Sequence, residues 1–193
     1  MSSPQLFGDL KPEALPVAGA AANHHWYAIY TRARHEKVVA ALLRQKDVTT
    51  FLPLLSQMHR WSDRSRTVEV PLFPGYSFVR IAAAPQAYLQ VLQTAGVVGF
   101  VGSGRSGVPI PDKQIEDIQL VLAHRVPCAI FPFLRVGQRI RVRGGCLDGV
   151  EGRLVTLKGD RTLVISVEPI LQSLAIRIDG YDVEILAHGD STV

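Results

Sequence analysis

The feature that most limits the fold of this chain is a change in the spacing of its apolar residues at 123–133. Before this segment, runs with helical spacing alternate with short β-branched and aromatic runs, which is typical of a mixed α+β domain. After it come only short alternating runs punctuated by glycines, a pattern that favours a small barrel. The segment itself has two prolines and no periodicity. We therefore expect the 193 residues to form two small domains joined by a linker.

The domain boundaries follow from the same patterns. The first 23 residues are rich in Ala and Pro and show no apolar period, which predicts a mobile tail. The predicted divisions are a tail at 1–23, an α+β domain at 24–122, a linker at 123–133, an all-β barrel at 134–188 and a second tail at 189–193.

Within the first domain the predicted order is β-α-β-β-β-α-β-α, an α/β sandwich with a largely antiparallel sheet. A helix is expected over 34–46, with His35, Val38, Val39, Leu42 and Leu43 on its buried face. Residues 56–66 are predicted to form a basic hairpin arm or loop. The barrel is predicted from five strands near 139–143, 153–157, 162–168, 174–178 and 181–186.

Composition and charge exclude several classes of protein. No uncharged apolar run approaches the ~20 residues of a membrane-spanning helix, and the N-terminus lacks the pattern of a secretory signal. Two cysteines cannot build a disulfide framework. We therefore expect a cytoplasmic monomer without membrane contact. Residues 24–125 hold 12 Lys and Arg against 7 Asp and Glu, so the excess positive charge lies in the first half.

No motif argues for an enzyme, a cofactor or a metal. Gly102–Gly107 matches G-x-G-x-x-G, but Pro109 and Pro111 follow where a phosphate-binding helix would begin, so a connecting loop is the better interpretation. The two cysteines, Cys128 and Cys146, lack partners at zinc-ligand spacing. We predict no catalytic residue and no cofactor.

A row of basic residues is the first candidate binding feature. Arg34, Lys37 and Arg44 are predicted to share the exposed side of the first helix, and Arg32 extends the row. Such a row can follow several phosphates, or it can be an ordinary solvated face; composition alone leaves the two interpretations even. Arg60, Arg64 and Arg66 are a candidate second arm.

Two further features each have two interpretations. Arg139, Arg141 and Arg143 alternate with aliphatic residues, and the favoured interpretation is a solvated strand face neutralised by Asp182 and Glu184. The segment from Pro71 to Phe78 turns at Pro74-Gly75 and carries large apolar side chains. These side chains belong either to the core or to a partner surface.

Three segments give the chain a family resemblance. Trp26–Tyr30, Phe73–Val79 with its F-P-G-Y sequence, and Gly96–Gly102 resemble the N-terminal domain of NusG-like transcription elongation factors. Val136–Val142, followed by Gly149–Gly152, resembles the family's KOW motif on an SH3-like barrel. The stretch around Trp61–Arg64 is more similar to specialised UpxY- and RfaH-type antiterminators.

The resemblance implies a function without bond chemistry. It implies that the first domain binds the clamp helices of the RNA polymerase β′ subunit, and that this suppresses pausing or termination. It also implies contact between the basic row (Arg32, Arg34, Lys37, Arg44) and the non-template DNA strand, and recruitment of Rho or a small-subunit ribosomal protein by the barrel. The implied polymerase-binding residues are Tyr30, Phe73, Pro74, Gly75, Tyr76 and Phe78, and the implied KOW residues are Gly144, Gly145, Asp148, Gly149 and Gly152.

One alternative stays open. KOW segments also occur in ribosomal proteins, so a ribosome- or RNA-binding module that uses Arg139, Arg141 and Arg143 is the second hypothesis.

Overall fold

A computed structural model describes residues 24–60, 65–102, 107–133, 137–157 and 159–186. The predicted tail 1–23 and the final tail 189–193 lie outside these ranges. So do Arg64 of the predicted second basic arm, the side chains of Arg60 and Arg66, and most of the 102–107 loop. Within the described part, no helix is long and apolar enough to cross a bilayer.

In the described part of the first half there are three helices and seven strands. In order these are β1 (His24–Thr31), α1 (Glu36–Gln45), β2 (Thr49–Phe51), β3 (Leu54–Arg60), β4 (Ser65–Pro71), β5 (Tyr76–Ala82), α2 (Pro85–Leu92), β6 (Val97–Phe100), β7 (Pro109–Ile110) and α3 (Asp112–Ala123).

The main sheet has the strand order β2-β5-β1-β6, and β7 also pairs with β1; all of these pairs are antiparallel. Because side chains alternate along β1, Tyr27 and Ile29 join a buried cluster with α1 and α2. Trp26 and Ala28 join the buried cluster that includes α3. Strands β3 and β4 pair as a separate two-stranded arm, so of the two forms predicted for 56–66, a hairpin arm or a loop, the described residues favour the arm.

The first helix differs from its predicted form. It begins at Glu36 rather than residue 34, since Arg34 takes a left-handed backbone conformation (φ 63°) in the preceding turn. The predicted buried face is wrong at two positions: Val38 is 53% exposed and His35 is exposed. The carboxyl-bearing Glu36 is buried instead, because it has a specific partner described below.

In its described residues, the second half consists of six strands and two short 3-10 helices, Gly145–Leu147 and Glu168–Ile170. The strands are β8 (Cys128–Pro132), β9 (Gln138–Arg143), β10 (Glu151–Leu157), β11 (Asp160–Val167), β12 (Gln172–Arg177) and β13 (Asp182–Ile185). The sheet order is β13-β9-β10-β11-β12-β8. The five predicted barrel strands are confirmed, as is the α+β class followed by a β-rich C-terminal region. Strand β8 lies in the segment that was predicted to be a linker. The segment forms a strand because it pairs with the edge of β12.

Candidate functional site

An exposed apolar surface lies at one end of β1 and β5. The Tyr30 side chain is 47% exposed, and its ring centroid lies 5.4 Å from that of Tyr76 on β5. Pro74 is exposed in the turn between β4 and β5. On the other side of Tyr30, Gly99 of β6 is its register partner, and the adjacent Val98 is 58% exposed. We call Tyr30, Pro74, Tyr76 and Val98 the docking face.

The turn that presents this face is held from beneath by Glu36. The Gly75 N–H donates to Glu36 Oε1 at 2.8 Å, and the Thr31 N–H donates to the Gly75 carbonyl at 2.8 Å. Gly75 has φ +83°, and a β-carbon there would lie 3.1 Å from Tyr30 Cε2. The positive φ therefore favours glycine at this position, and a larger residue would also push the Tyr30 ring aside.

Three of the six predicted polymerase-binding residues reach the surface and three lie behind it. Phe73 and Phe78 are fully buried, with ring centroids 6.1 Å apart in an edge-to-face contact, and Phe78 stacks on Phe51. They belong to the buried cluster against which Tyr76 packs, and Tyr76 in turn contacts Tyr30. Gly75 is also buried.

Sequence reasoning missed Val98 and Glu36. Val98 follows Val97 in a strand in which both residues look equally apolar, and a register shift between Tyr30 and Thr31 leaves it exposed. The only signal for Glu36 was its position as the single acidic residue among the first-turn residues of a basic helix.

The predicted nucleic-acid-binding residues lie on and just before α1. Arg32 and Arg34 are exposed in the turn before the helix. The Lys37 Nζ donates to the Glu69 carbonyl at 2.9 Å, and the Arg44 Nη2 to the Thr50 carbonyl at 3.5 Å. Both acceptors are neutral carbonyls, and in the part of the chain that the structure describes neither side chain forms an ion pair. Because the helix starts late, its part of the row, from Lys37 to Arg44, spans about 10 Å.

Three of the glycines that the sequence analysis assigned to a KOW motif lie in a loop that we define as residues 144–151 and call the KOW loop. Gly144, Gly145 and Gly149 all have positive φ. The Asp148 Oδ1 accepts the Gly144 N–H at 2.7 Å, so Asp148 closes the turn. Leu147 and Val150 are fully buried and anchor the loop in the barrel core.

The arginine row on β9 is paired with carboxylates. The Arg141 Nη2 lies 2.6 Å from Glu151 Oε1, and Arg143 forms an ion pair with Glu184. Glu151 hydrogen-bonds to the Arg141 guanidinium and raises its pKa. Of the two predicted neutralising residues, Glu184 is found at these arginines, while Asp182 lies opposite Arg143 in the strand register. This face carries little uncompensated positive charge.

Comparisons with known proteins identify a single family. A family model described as "Transcription termination factor nusG" matches residues 24–119. A "Transcription termination/antitermination protein NusG" of Lactococcus lactis is 30% identical over 171 residues, covering 82% of this chain and 91% of the relative. A protein of the same name from Borreliella burgdorferi is 22% identical over 181 residues, covering 82% and 97%.

A solved structure has a similar fold. The structure titled "Domain interaction in Thermotoga maritima NusG" matches with a TM-score of 0.52 and 21% sequence identity, covering 86% of this chain and 98% of that one.

Proposed function

This chain belongs to the NusG family of transcription termination and antitermination proteins, and from that premise we propose that it binds RNA polymerase through its docking face. Bound there, it suppresses pausing or termination and recruits a further factor through its barrel. The observation that carries the proposal is the contact between the exposed Tyr30 and the half-buried Tyr76, beside a turn that Glu36 holds by a hydrogen bond. Tyrosines are enriched among the residues that dominate protein–protein affinity.

The physical support for this face is its low conformational freedom. Phe73 and Phe78 fill the space beneath it, and Glu36 fixes the turn through the Gly75 amide. A face that is ordered before binding loses little entropy on association. Binding that favours the elongating conformation of the polymerase shifts a conformational population and requires no bond to be made or broken.

The basic row fits a secondary contact with the non-template DNA strand. Arg32 and Arg34 are exposed, the hydrogen-bond acceptors of Lys37 and Arg44 are neutral carbonyls, and neither of those two side chains forms an ion pair with a described carboxylate. Positive side chains without a carboxylate partner increase the affinity of a protein for DNA, because they release counterions from the phosphates. The assignment to the specialised UpxY- and RfaH-type paralogs stays a prediction from sequence.

The ion pairs of the barrel arginines favour this function over a ribosome- or RNA-binding module. Arg141 and Arg143 are engaged by Glu151 and Glu184. Phosphate binding there would have to displace two carboxylates. We therefore place Rho or a small-subunit ribosomal protein as barrel partners ahead of direct RNA contact through this face.

The docking face is tested by replacing both tyrosines. We expect Tyr30→Ala with Tyr76→Ala to weaken binding to a purified elongation complex by about 30-fold or more, since removing such anchors typically costs at least ~2 kcal/mol. The affinity is measured by titrating the full-length protein into labelled elongation complexes. The control is Leu89→Ala, which removes a 53% exposed apolar side chain from α2 on the other side of the sheet. Equal affinities for the double variant and the wild type would refute the docking face.

The basic row is tested through the salt dependence of DNA binding. Arg32→Gln with Arg34→Gln should lower the slope of log K against log salt by about 0.7 per lost phosphate contact on single-stranded DNA. The control is Arg177→Gln on the barrel, since Arg177 is held by Asp160 and Asp179. If the slope equals that of the wild type, these arginines do not contact DNA phosphates and are ordinary solvated side chains.

A further inference from the structure

One residue, Gly75, joins the docking face to the basic row. Its Cα lies against the ring of Tyr30, since an added β-carbon would be 3.1 Å from Tyr30 Cε2. Its N–H and its carbonyl both hydrogen-bond to the segment 31–36, which we call the basic turn because it carries Arg32 and Arg34. Two surfaces that we assign to different partners therefore meet at one backbone position.

The two ends of the basic turn are both held by Gly75. At the start, the Thr31 N–H donates to the Gly75 carbonyl at 2.8 Å, and the Thr31 Oγ1 donates to the same oxygen at 3.3 Å. At the end, the Glu36 Oε1 accepts the Gly75 N–H at 2.8 Å. The basic turn is thus closed into a loop on a single residue of the turn that presents the docking face.

The backbone between these ends is itself tightly specified. The Arg32 N–H donates to the Gly96 carbonyl at 2.8 Å, and the His35 N–H donates to the Arg32 carbonyl at 3.0 Å. Arg34 has a φ of 63°. A left-handed backbone is uncommon for a residue other than glycine and persists only where the surroundings fix it. The positions of both arginines therefore depend on the bonds that close the basic turn.

Glu36 supplies the side chain that completes this loop. It is only 6% exposed, although the adjacent Lys37 is exposed. Among the described residues Glu36 forms no ion pair, and its hydrogen-bond partner is the Gly75 N–H. A hydrogen bond from an N–H to a carboxylate is stronger than one between neutral groups. Without this acceptor the buried Gly75 N–H would have no partner in the closed turn.

We propose that Glu36 is a positioning residue that couples the two surfaces, so that a single DNA strand bound to Arg32 and Arg34 favours the ordered docking face. A ligand that restrains the basic turn favours the state in which Glu36 holds Gly75, and this lowers the entropy that the docking face loses on binding polymerase. Because coupling between sites is reciprocal, docking on polymerase raises the affinity for the strand by the same factor. This inference rests on the proposed function of both surfaces.

The coupling is tested by hydrogen exchange of the full chain with and without a thymidine oligonucleotide at low salt. The Gly75 amide reports local opening of the loop. The Leu72 amide, which donates to the Pro53 carbonyl at 2.8 Å, reports the general stabilisation that any ligand of the native state produces. We expect the oligonucleotide to slow exchange at Gly75 about fivefold more than at Leu72.

Two substitutions of Glu36 separate its hydrogen bond from its charge. Glu36→Gln removes the charge but retains an oxygen that can accept the Gly75 N–H, so the response to the oligonucleotide should persist. Glu36→Leu gives the same net charge without an acceptor, so the response should be lost and Gly75 should exchange about tenfold faster in the free chain. A change in electrostatic attraction for DNA is common to both variants and cancels in this comparison.

The result that overturns the coupling is equal slowing at Gly75 and Leu72 in the wild type, a measurement that needs no variant to fold. A Glu36→Leu variant that responds as the wild type does would also overturn it. Binding of the labelled oligonucleotide is measured separately by fluorescence anisotropy. Absence of binding would refute the basic row and the coupling together, whereas binding without a local response at Gly75 refutes the coupling alone. No polymerase is present, so failure of the docking face is tested independently.

Discussion

Replacing Phe73 by Ala is expected to destabilise the first domain by about 3–5 kcal/mol, the range for truncating a buried phenylalanine. The Phe73 side chain is fully buried, packs edge-to-face on Phe78 and belongs to the cluster that includes Trp26 and Ile115. Removing the ring leaves a cavity that a close-packed aromatic core cannot collapse to fill. The free energy of unfolding is measured by denaturant titration.

The matched control for this prediction is Tyr30→Ala. Its ring belongs to the same aromatic surface but is 47% exposed, so its loss should cost much less stability. If both variants unfold at the same denaturant concentration, Phe73 is not the support that the structure describes. The comparison also separates a role in stability from a role in binding. We expect Phe73→Ala to weaken polymerase binding because the first domain is destabilised, and Tyr30→Ala to weaken it because a contact with the polymerase is lost.

Replacing Gly152 by Ala should be the most damaging single-methyl change in the KOW motif. A β-carbon at this position would lie 2.7 Å from the Val164 carbonyl oxygen and 2.9 Å from Leu163 Cδ1. The backbone oxygen belongs to the β10–β11 ladder and cannot move without disturbing that pairing. We expect a loss of about 1–3 kcal/mol, as for other overpacked sites, with the melting temperature as the readout.

Gly99→Ala is the control for the Gly152 substitution. Gly99 also lies in a strand without a positive φ, but a β-carbon there would meet no atom within 4 Å. Its substitution should leave stability within about 0.5 kcal/mol of the wild type. Equal melting temperatures for the two variants would contradict the close strand approach at Gly152.

Elements with strong local signals were predictable from the sequence. The five barrel strands and the Pro-Gly turn follow from alternation and turn chemistry, which are properties of neighbouring residues. The start of α1 was less predictable, because apolar spacing continues back to His35 while the left-handed backbone of Arg34 ends the helical geometry. Strand β8 was missed since its neutral, proline-flanked sequence becomes a strand only by pairing with β12.

The candidate site, too, was predictable from the sequence only in part. The F-P-G-Y sequence identified the turn and its aromatic residues, but alternation could not assign Phe73 and Phe78 to the core while leaving Tyr30 and Tyr76 at the surface. That assignment depends on which side chains α3 and Phe51 cover. The same holds for Glu36, whose partner Gly75 lies 39 residues away.

Local pattern was enough to predict the change from mixed helices and strands to a β-rich C-terminal region, the family and the residue types available for binding. The folded structure establishes which of these residues are exposed and which are buried behind them. It also establishes that Thr31 and Glu36 both hydrogen-bond to Gly75. Contacts between residues distant in the chain set burial and charge pairing, and no local pattern records them.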